Sequence, residues 1–161
     1  MIGTPNYQLK FPRTSETGYI RNVTESQDCS ERHHRKTPPT EYLELHSFGD
    51  GGAYGFDACT YLRFPVEDEK NSYDSNLLQA SSKVGPNKET MSTPRKELNG
   101  AVMAVKMIKE LAKELGIPKE KCFVHIDSKV ALWWISKPKE DLKVYVWNRV
   151  KVIQDADINL L

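Results

Sequence analysis

The sequence predicts an α/β domain in which three antiparallel strands are followed by a long helix, a parallel strand and further helices. Three observations predict it. Apolar residues alternate with polar ones over residues 43–47 and 56–62, the two-residue period of half-buried strands. The period then changes to that of a helix over residues 93–115. A short apolar run, KCFVHI, follows that helix and is itself followed by another helical stretch.

The first strand is expected in EYLELHSF, where Leu43, Leu45 and Ser47 share one face, and the second in YGFDACTYLRF, where Phe56, Ala58, Thr60 and Leu62 do so. The Gly-rich GDGGAYG makes the turn between them. A polar loop, PVEDEKNSYDSN, leads to a third short strand, LLQASSKV. Thr93 is then the expected helix N-cap, with Pro94 at the first helical position. Leu98, Ala101, Val102, Val105, Ile108, Leu111, Ala112 and Leu115 form an apolar stripe that ends at Gly116. After the KCFVHI strand comes the helix SKVALWWI, broken by Pro138. The last segment, LKVYVWNRVKVIQ, has strand-like Val144 and Val146, but Leu142, Val146, Arg149, Val150 and Ile153 fit a helical face, which is preferred.

At 161 residues the chain suits one domain, over residues 41–161, behind a polar and non-periodic leader at 1–40 that is expected to be disordered. No apolar run approaches the roughly 18 residues of a membrane span, and the N-terminus has no apolar signal region. A cytoplasmic protein is expected. Cys29, Cys59 and Cys122 are odd in number and widely spaced, which fits reduced thiols. Cys29, His33 and His34 lack a fourth ligand at finger-like spacing, so no zinc is assigned. A net charge of +1 hides an asymmetry: residues 81–161 hold 15 Lys/Arg against 10 Asp/Glu. Such a surplus permits a polyanionic partner but also describes a solvated lysine-rich helix face.

A helix that crosses from the third strand to a fourth can lay the fourth beside the first and parallel to it, by the right-handed crossover rule. Asp50, past the apolar part of the first strand, and Asp127, at the end of the fourth, would then meet at one sheet edge. Glu97, in the first turn of the long helix, can reach the same point. Three carboxylates so placed repel one another unless a cation neutralises them, and hard oxygen donors select Mg²⁺ or Mn²⁺. Two such ions would serve phosphodiester hydrolysis. Taken singly, each residue has a plainer explanation: Asp50 as a turn former, Glu97 as a favourable first-turn charge, Asp127 as a helix cap. It is the element order that draws them together.

The pieces SKVGP, PRKEL, DSKVALWWI and NRV, in this order, resemble the ribonuclease H domain of BEL/Pao-type LTR retrotransposon polyproteins, over about residues 43–154. That region is also associated with a Pao peptidase name. The resemblance implies a ribonuclease H-like fold that cuts the RNA strand of an RNA:DNA hybrid during reverse transcription. It implies two Mg²⁺ or Mn²⁺ ions on Asp50, Glu97 and Asp127, the remainder of a reverse transcriptase polyprotein as partner, and RNA recognised by its 2′-hydroxyls. Lys83, Lys88, Arg95 and Lys96, which flank the loop before Glu97, are the candidate phosphate contacts.

The chain departs from that family's pattern at three places. Asp50-Gly51-Gly52 stands where Asp-Ala-Ser is usual, and Asp57 stands where a glycine is common. The family also continues into a fifth strand and a final helix bearing a fourth acidic ligand; both are expected to be lacking here, and Asp155 and Asp157 come too early to replace that ligand. A non-catalytic retroelement remnant that binds nucleic acid or protein is therefore the alternative. An aspartic peptidase finds no support, because neither Asp50-Gly51 nor Asp127-Ser128-Lys129 supplies Asp-Thr/Ser-Gly. His125 is expected to be a packed or hydrogen-bonded strand histidine before a proton carrier, and Trp133, Trp134 and Trp147 core residues before base-stacking platforms.

Overall fold

A computed structural model describes residues 39–66, 72–85 and 91–161. The expected leader, with Cys29, His33 and His34, lies almost wholly outside the described residues, and Lys88 lies outside them.

The strands β1 (Glu44–Gly51), β2 (Gly55–Pro65) and β3 (Tyr73–Val84) form an antiparallel meander. Helix α1 (Thr93–Leu115) crosses over to β4 (Cys122–His125), which pairs with β1 in parallel. Helices α2 (Lys129–Ile135) and α3 (Val144–Gln154) follow, then β5 (Asn159–Leu160) beside β4, giving the sheet order β3-β2-β1-β4-β5. The expected class and element order hold, and the ambiguous segment before Gln154 is helical.

Three details differ from expectation. β3 begins at Tyr73, inside the segment assigned to a loop, because its partner β2 runs on to Pro65 and offers a ladder there. Ser92, not Thr93, occupies the N-cap position of α1, leaving Pro94 within the first turn, where no N–H is needed. The fifth strand expected to be lacking is present: Asn159 and Leu160 pair with Phe123 and Val124, and Leu161 exchanges backbone hydrogen bonds with Val124 and Ile126. At two residues it is too short for periodicity to reveal.

The core lies between the sheet and the helices. Leu45 and Ser47 of β1, Ala58 and Thr60 of β2, and Cys122 and Val124 of β4 are buried on the face that meets α1. The buried side of α1 is broader than the expected stripe, adding Ala104 and Met107, because α1 is packed on the sheet and also carries α3. Each of Leu98, Val105 and Ile108, fully buried here, contributes about 1.5–3 kcal/mol over exposure. The hydroxyl of Ser47 is satisfied, 2.8 Å from Thr60 Oγ1 and 3.3 Å from the Ala104 carbonyl.

Near the start of the helix the approach to β1 is closer than side chains allow. A Cβ on Gly100 would stand 2.4 Å from the Asp50 carbonyl oxygen, one on Gly49 2.4 Å from the Gly100 oxygen, and one on Gly51 2.1 Å from the Glu97 nitrogen. All three contacts are backbone, which cannot swing aside. Lys96 adds a second tie: it is 1% exposed and its ammonium donates to the Ala53 carbonyl, fastening the β1–β2 turn to the helix. The expectation that Lys96 contacts phosphate is thereby corrected. Its alkyl stem lies under the hairpin, whose turn draws the charged end inward.

The opposite sheet face carries rings. His46 Nδ1 lies 3.0 Å from His125 Nε2, and Phe48 and Phe123 stack on His125 and His46 at centroid distances of 4.4 and 5.0 Å. Burial and the neighbouring His46 push the His125 pKa down, so His125 is a packed, hydrogen-bonded strand residue as expected. Glu44 anchors the far end of this face. Burial pushes its carboxyl up, but the His46 ring, the Arg63 guanidinium at 2.9 Å and the Lys121 ammonium outweigh that and hold it below the ordinary value.

Two outcomes follow from these contacts. Gly100→Ala gains about 1 kcal/mol of helix propensity yet should lose about 2–3 kcal/mol net in urea unfolding, since the clash is with backbone. Gly52→Ala, with nothing within 4 Å of a new Cβ, should change stability by under about 0.5 kcal/mol. Because the folded pKa of Glu44 is lowered, its ionised form contributes stability above the ordinary pKa of 4.5 and loses it as pH falls through and below that value. Glu44→Gln should accordingly destabilise by about 1 kcal/mol at pH 7, with the two unfolding curves converging in acid.

Candidate functional site

Parallel pairing brings the expected carboxylates to one edge. β1 and β4 are in register with Phe48 opposite His125, and Asp50 and Asp127 each follow two residues later, so they stand level at the carboxyl ends of adjacent strands. Both line one open depression, together with Phe48, Asp57, Cys59 and His125. Asp50 and Asp127 are exposed. One Asp50 oxygen accepts the Gly51 N–H at 2.6 Å.

Glu97 is half-buried and, as the fifth residue of α1, opens the second turn and not the first as expected; its backbone lies against Gly51 through the close helix–strand approach. Its carboxylate does not line the depression that Asp50 and Asp127 share. It accepts a 2.5 Å hydrogen bond from the hydroxyl of Ser128, whose Oγ in turn accepts the Ala131 N–H and caps α2. Ser128 therefore joins the end of β4, the start of α2 and the start of α1. It takes the capping role considered for Asp127, and leaves the Asp127 carboxylate without a capping hydrogen bond.

Two residues outside the expected ligand set contribute to the site: Asp57, expected as an added charge, and Ser128, which was not expected to take part. Asp57 pairs with Asp50 across β1 and β2, and burial together with the Asp50 charge pushes its carboxyl pKa up. Its departure from glycine was visible, but its position opposite Asp50 depends on the hairpin register. Ser128, adjacent to Asp127, gave no signal beyond its suitability as a cap.

The donor chemistry suits a hard divalent cation: oxygen ligands, and no ion pair from Lys or Arg to any of the three carboxylates among the described residues. The spacing is less closed. Among the described residues no three His, Cys, Asp or Glu side chains converge tightly enough to hold an ion. Glu97 is bonded to Ser128 and does not line the depression that holds Asp50, Asp57 and Asp127.

The candidate phosphate contacts fall in different settings. Lys83 is exposed near the end of β3, opposite Phe56. Arg95 is half-buried, its guanidinium carbon 5.0 Å from the centre of the Tyr145 ring. Trp133 is 55% exposed, whereas Trp134 and Trp147 pack against the core, so the expectation of core positions holds for two of the three. Cys122 is buried with its thiol pushed up to about 11, an inert packing residue. No helix among the described residues is long and apolar enough to cross a membrane.

Among solved structures, the chain is similar to the N-terminal RNase H domain of a Mycobacterium tuberculosis protein fused to maltose-binding protein. Identity there is 15%, the TM-score is 0.43, and the match covers 73% of this chain and 83% of that one. It is also similar to RNase H1 from the halophilic archaeon Halobacterium salinarum, at 12% identity and a TM-score of 0.33, covering 73% and 82%. No curated protein matches. The profile of the Pao retrotransposon-like RNaseH-like domain matches residues 13–128, from ahead of the sheet to the Ser128 cap that follows Asp127. The chain belongs to the Pao retrotransposon-like RNaseH-like domain family.

Proposed function

We propose that this domain hydrolyses the RNA strand of RNA:DNA hybrids in reverse transcription, using divalent metal held by Asp50, Glu97 and Asp127. The observation that carries the reading is the level placement of Asp50 and Asp127 at the ends of adjacent parallel strands, with the start of α1 pressed against Gly51. Membership of the Pao family supports the substrate class.

The chemistry that Mg²⁺ or Mn²⁺ supplies when bound is polarisation of a phosphodiester and activation of a water. The chain's own part is to aim the donors. Asp50 stands between the neighbouring strand positions of Asp57 and Asp127 and would hold the metal together with Asp127 and Glu97. Ser128 holds Glu97 until the carboxylate is needed, and its hydroxyl can keep the Ala131 N–H after release. Lys83 and Arg95 serve as phosphate contacts on the flanks. The partners of this activity are the hybrid and the remainder of a reverse transcriptase polyprotein, and its setting is the cytoplasm.

A second reading, binding without cutting, is favoured by one observation: Glu97 is hydrogen-bonded to Ser128, and no three acidic, His or Cys side chains among the described residues converge on one point. Incubation of the purified chain with a labelled hybrid and Mg²⁺ or Mn²⁺ separates them. Metal-dependent cutting is expected, with Asp127→Asn lowering the rate by about 100-fold or more. Retained hybrid binding with no cutting at any metal concentration would establish the second reading instead.

A further inference from the structure

The contact between α1 and α3 gathers positive charge in an unusual way. Tyr145, in the first turn of α3, has two guanidinium groups over its ring: Arg149 from its own helix, 3.5 Å from the ring centre, and Arg95 from α1, at 5.0 Å. Two like charges thus stand within about a Debye length of one another, roughly 8 Å at physiological salt. Neither has a carboxylate partner among the described residues.

Part of this arrangement has a packing explanation. Arg149 Nε donates to Asn99 Oδ1 at 2.5 Å, an Arg149 terminal nitrogen donates to the Tyr145 carbonyl at 3.0 Å, and Asn99 Nδ2 donates to the Tyr145 hydroxyl at 3.0 Å. These bonds staple α3 to α1. They leave the other terminal nitrogen of Arg149 free to donate, and they do not involve Arg95 at all. The Arg95 guanidinium makes no hydrogen bond or ion pair among the described residues; only the ring holds it. An unpaired, half-buried guanidinium brought beside a second one raises the energy of the fold, and an anion between them would offset that repulsion.

We infer that Arg95 and Arg149, gathered over Tyr145, form a binding site for a backbone phosphate of nucleic acid, which makes α3 part of the substrate surface. A planar guanidinium fork matches two phosphate oxygens, and stacking on Tyr145 fixes the fork before the ligand arrives. Arg95 lies two residues before Glu97 and Asn99 two after it, all in the rigid start of α1. A phosphate held here therefore fixes the register of a bound strand relative to the carboxylate edge. The inference rests on the nucleic-acid reading of that edge and extends the surface to a helix beyond it.

The test uses the full chain carrying Asp127→Asn, a labelled RNA:DNA hybrid, and fluorescence anisotropy over a salt series. Arg95→Gln and Arg149→Gln should each weaken binding about 3- to 10-fold near 0.1 M salt and reduce the slope of log K against log salt by about one. Arg149→Lys, which keeps the charge but loses the staple, should retain the slope. Thermal melting distinguishes a merely structural role: Arg95→Gln, which removes no hydrogen bond, should leave Tm unchanged while affinity falls. Unchanged affinity and slope in Arg95→Gln would overturn the inference, even if Arg149→Gln fails to fold. Inorganic phosphate that raises Tm in the parent but not in Arg95→Gln, with hybrid affinity unaffected, would assign the pair to a free anion and also overturn it. If the chain with Asp127 intact does not cut but binding still depends on Arg95, the nuclease reading falls and the phosphate site stands.

Discussion

The structure depends on a backbone-to-backbone approach between the start of α1 and the end of β1. Gly49, Gly51 and Gly100 allow it, because at each the space of a Cβ is already filled by main chain of the other element. The consequence reaches from packing to chemistry. With a side chain at any of these positions the helix would ride higher over the sheet, and Glu97 would move away from the end of β1. The buried Lys96, fastened to the Ala53 carbonyl, closes the same contact from the turn side. Gly51, in the Asp50-Gly51-Gly52 stretch, is thus a packing requirement of this approach.

The second organising fact is electrostatic. At the near edge of the sheet Asp50, Asp57 and Asp127 face one depression without a basic partner among the described residues, and the Asp57 pKa is raised first by burial and then by the Asp50 charge. At the far edge Glu44 is surrounded by His46, Arg63 and Lys121 and is held below its ordinary value. One edge is neutralised by the protein itself and the other is not. An uncompensated edge suits a cation, and the Glu97 carboxylate beside it is bonded to the Ser128 hydroxyl.

Much of this was legible in the sequence because the relevant signals are periodic. Leu43, Leu45 and Ser47 alternate, Leu98, Val105 and Ile108 recur at helical spacing, and the crossover rule alone places β4 beside β1. Asp50 and Asp127 could be brought together on that basis. What could not be read depends on contact rather than period. Lys96 looked like a surface cation in PRKEL, yet the hairpin folds over it. Asp57 faces Asp50 only in one hairpin register, and Ser128 reaches Glu97 across three elements. β5 is two residues long and forms only because the β4 edge offers backbone partners. The broad buried side of α1 likewise reflects its packing against α3, a contact that the period of neither helix reveals.

The central claim is that Asp50, Glu97 and Asp127 share a divalent cation. Titration of ¹⁵N-labelled protein with substoichiometric Mn²⁺, followed by paramagnetic broadening of amide signals, tests it without reference to activity. The account predicts that Gly51, Glu97 and Ser128 broaden first and that Asp50→Asn removes the effect. Broadening centred elsewhere, or unchanged by Asp50→Asn, would contradict it.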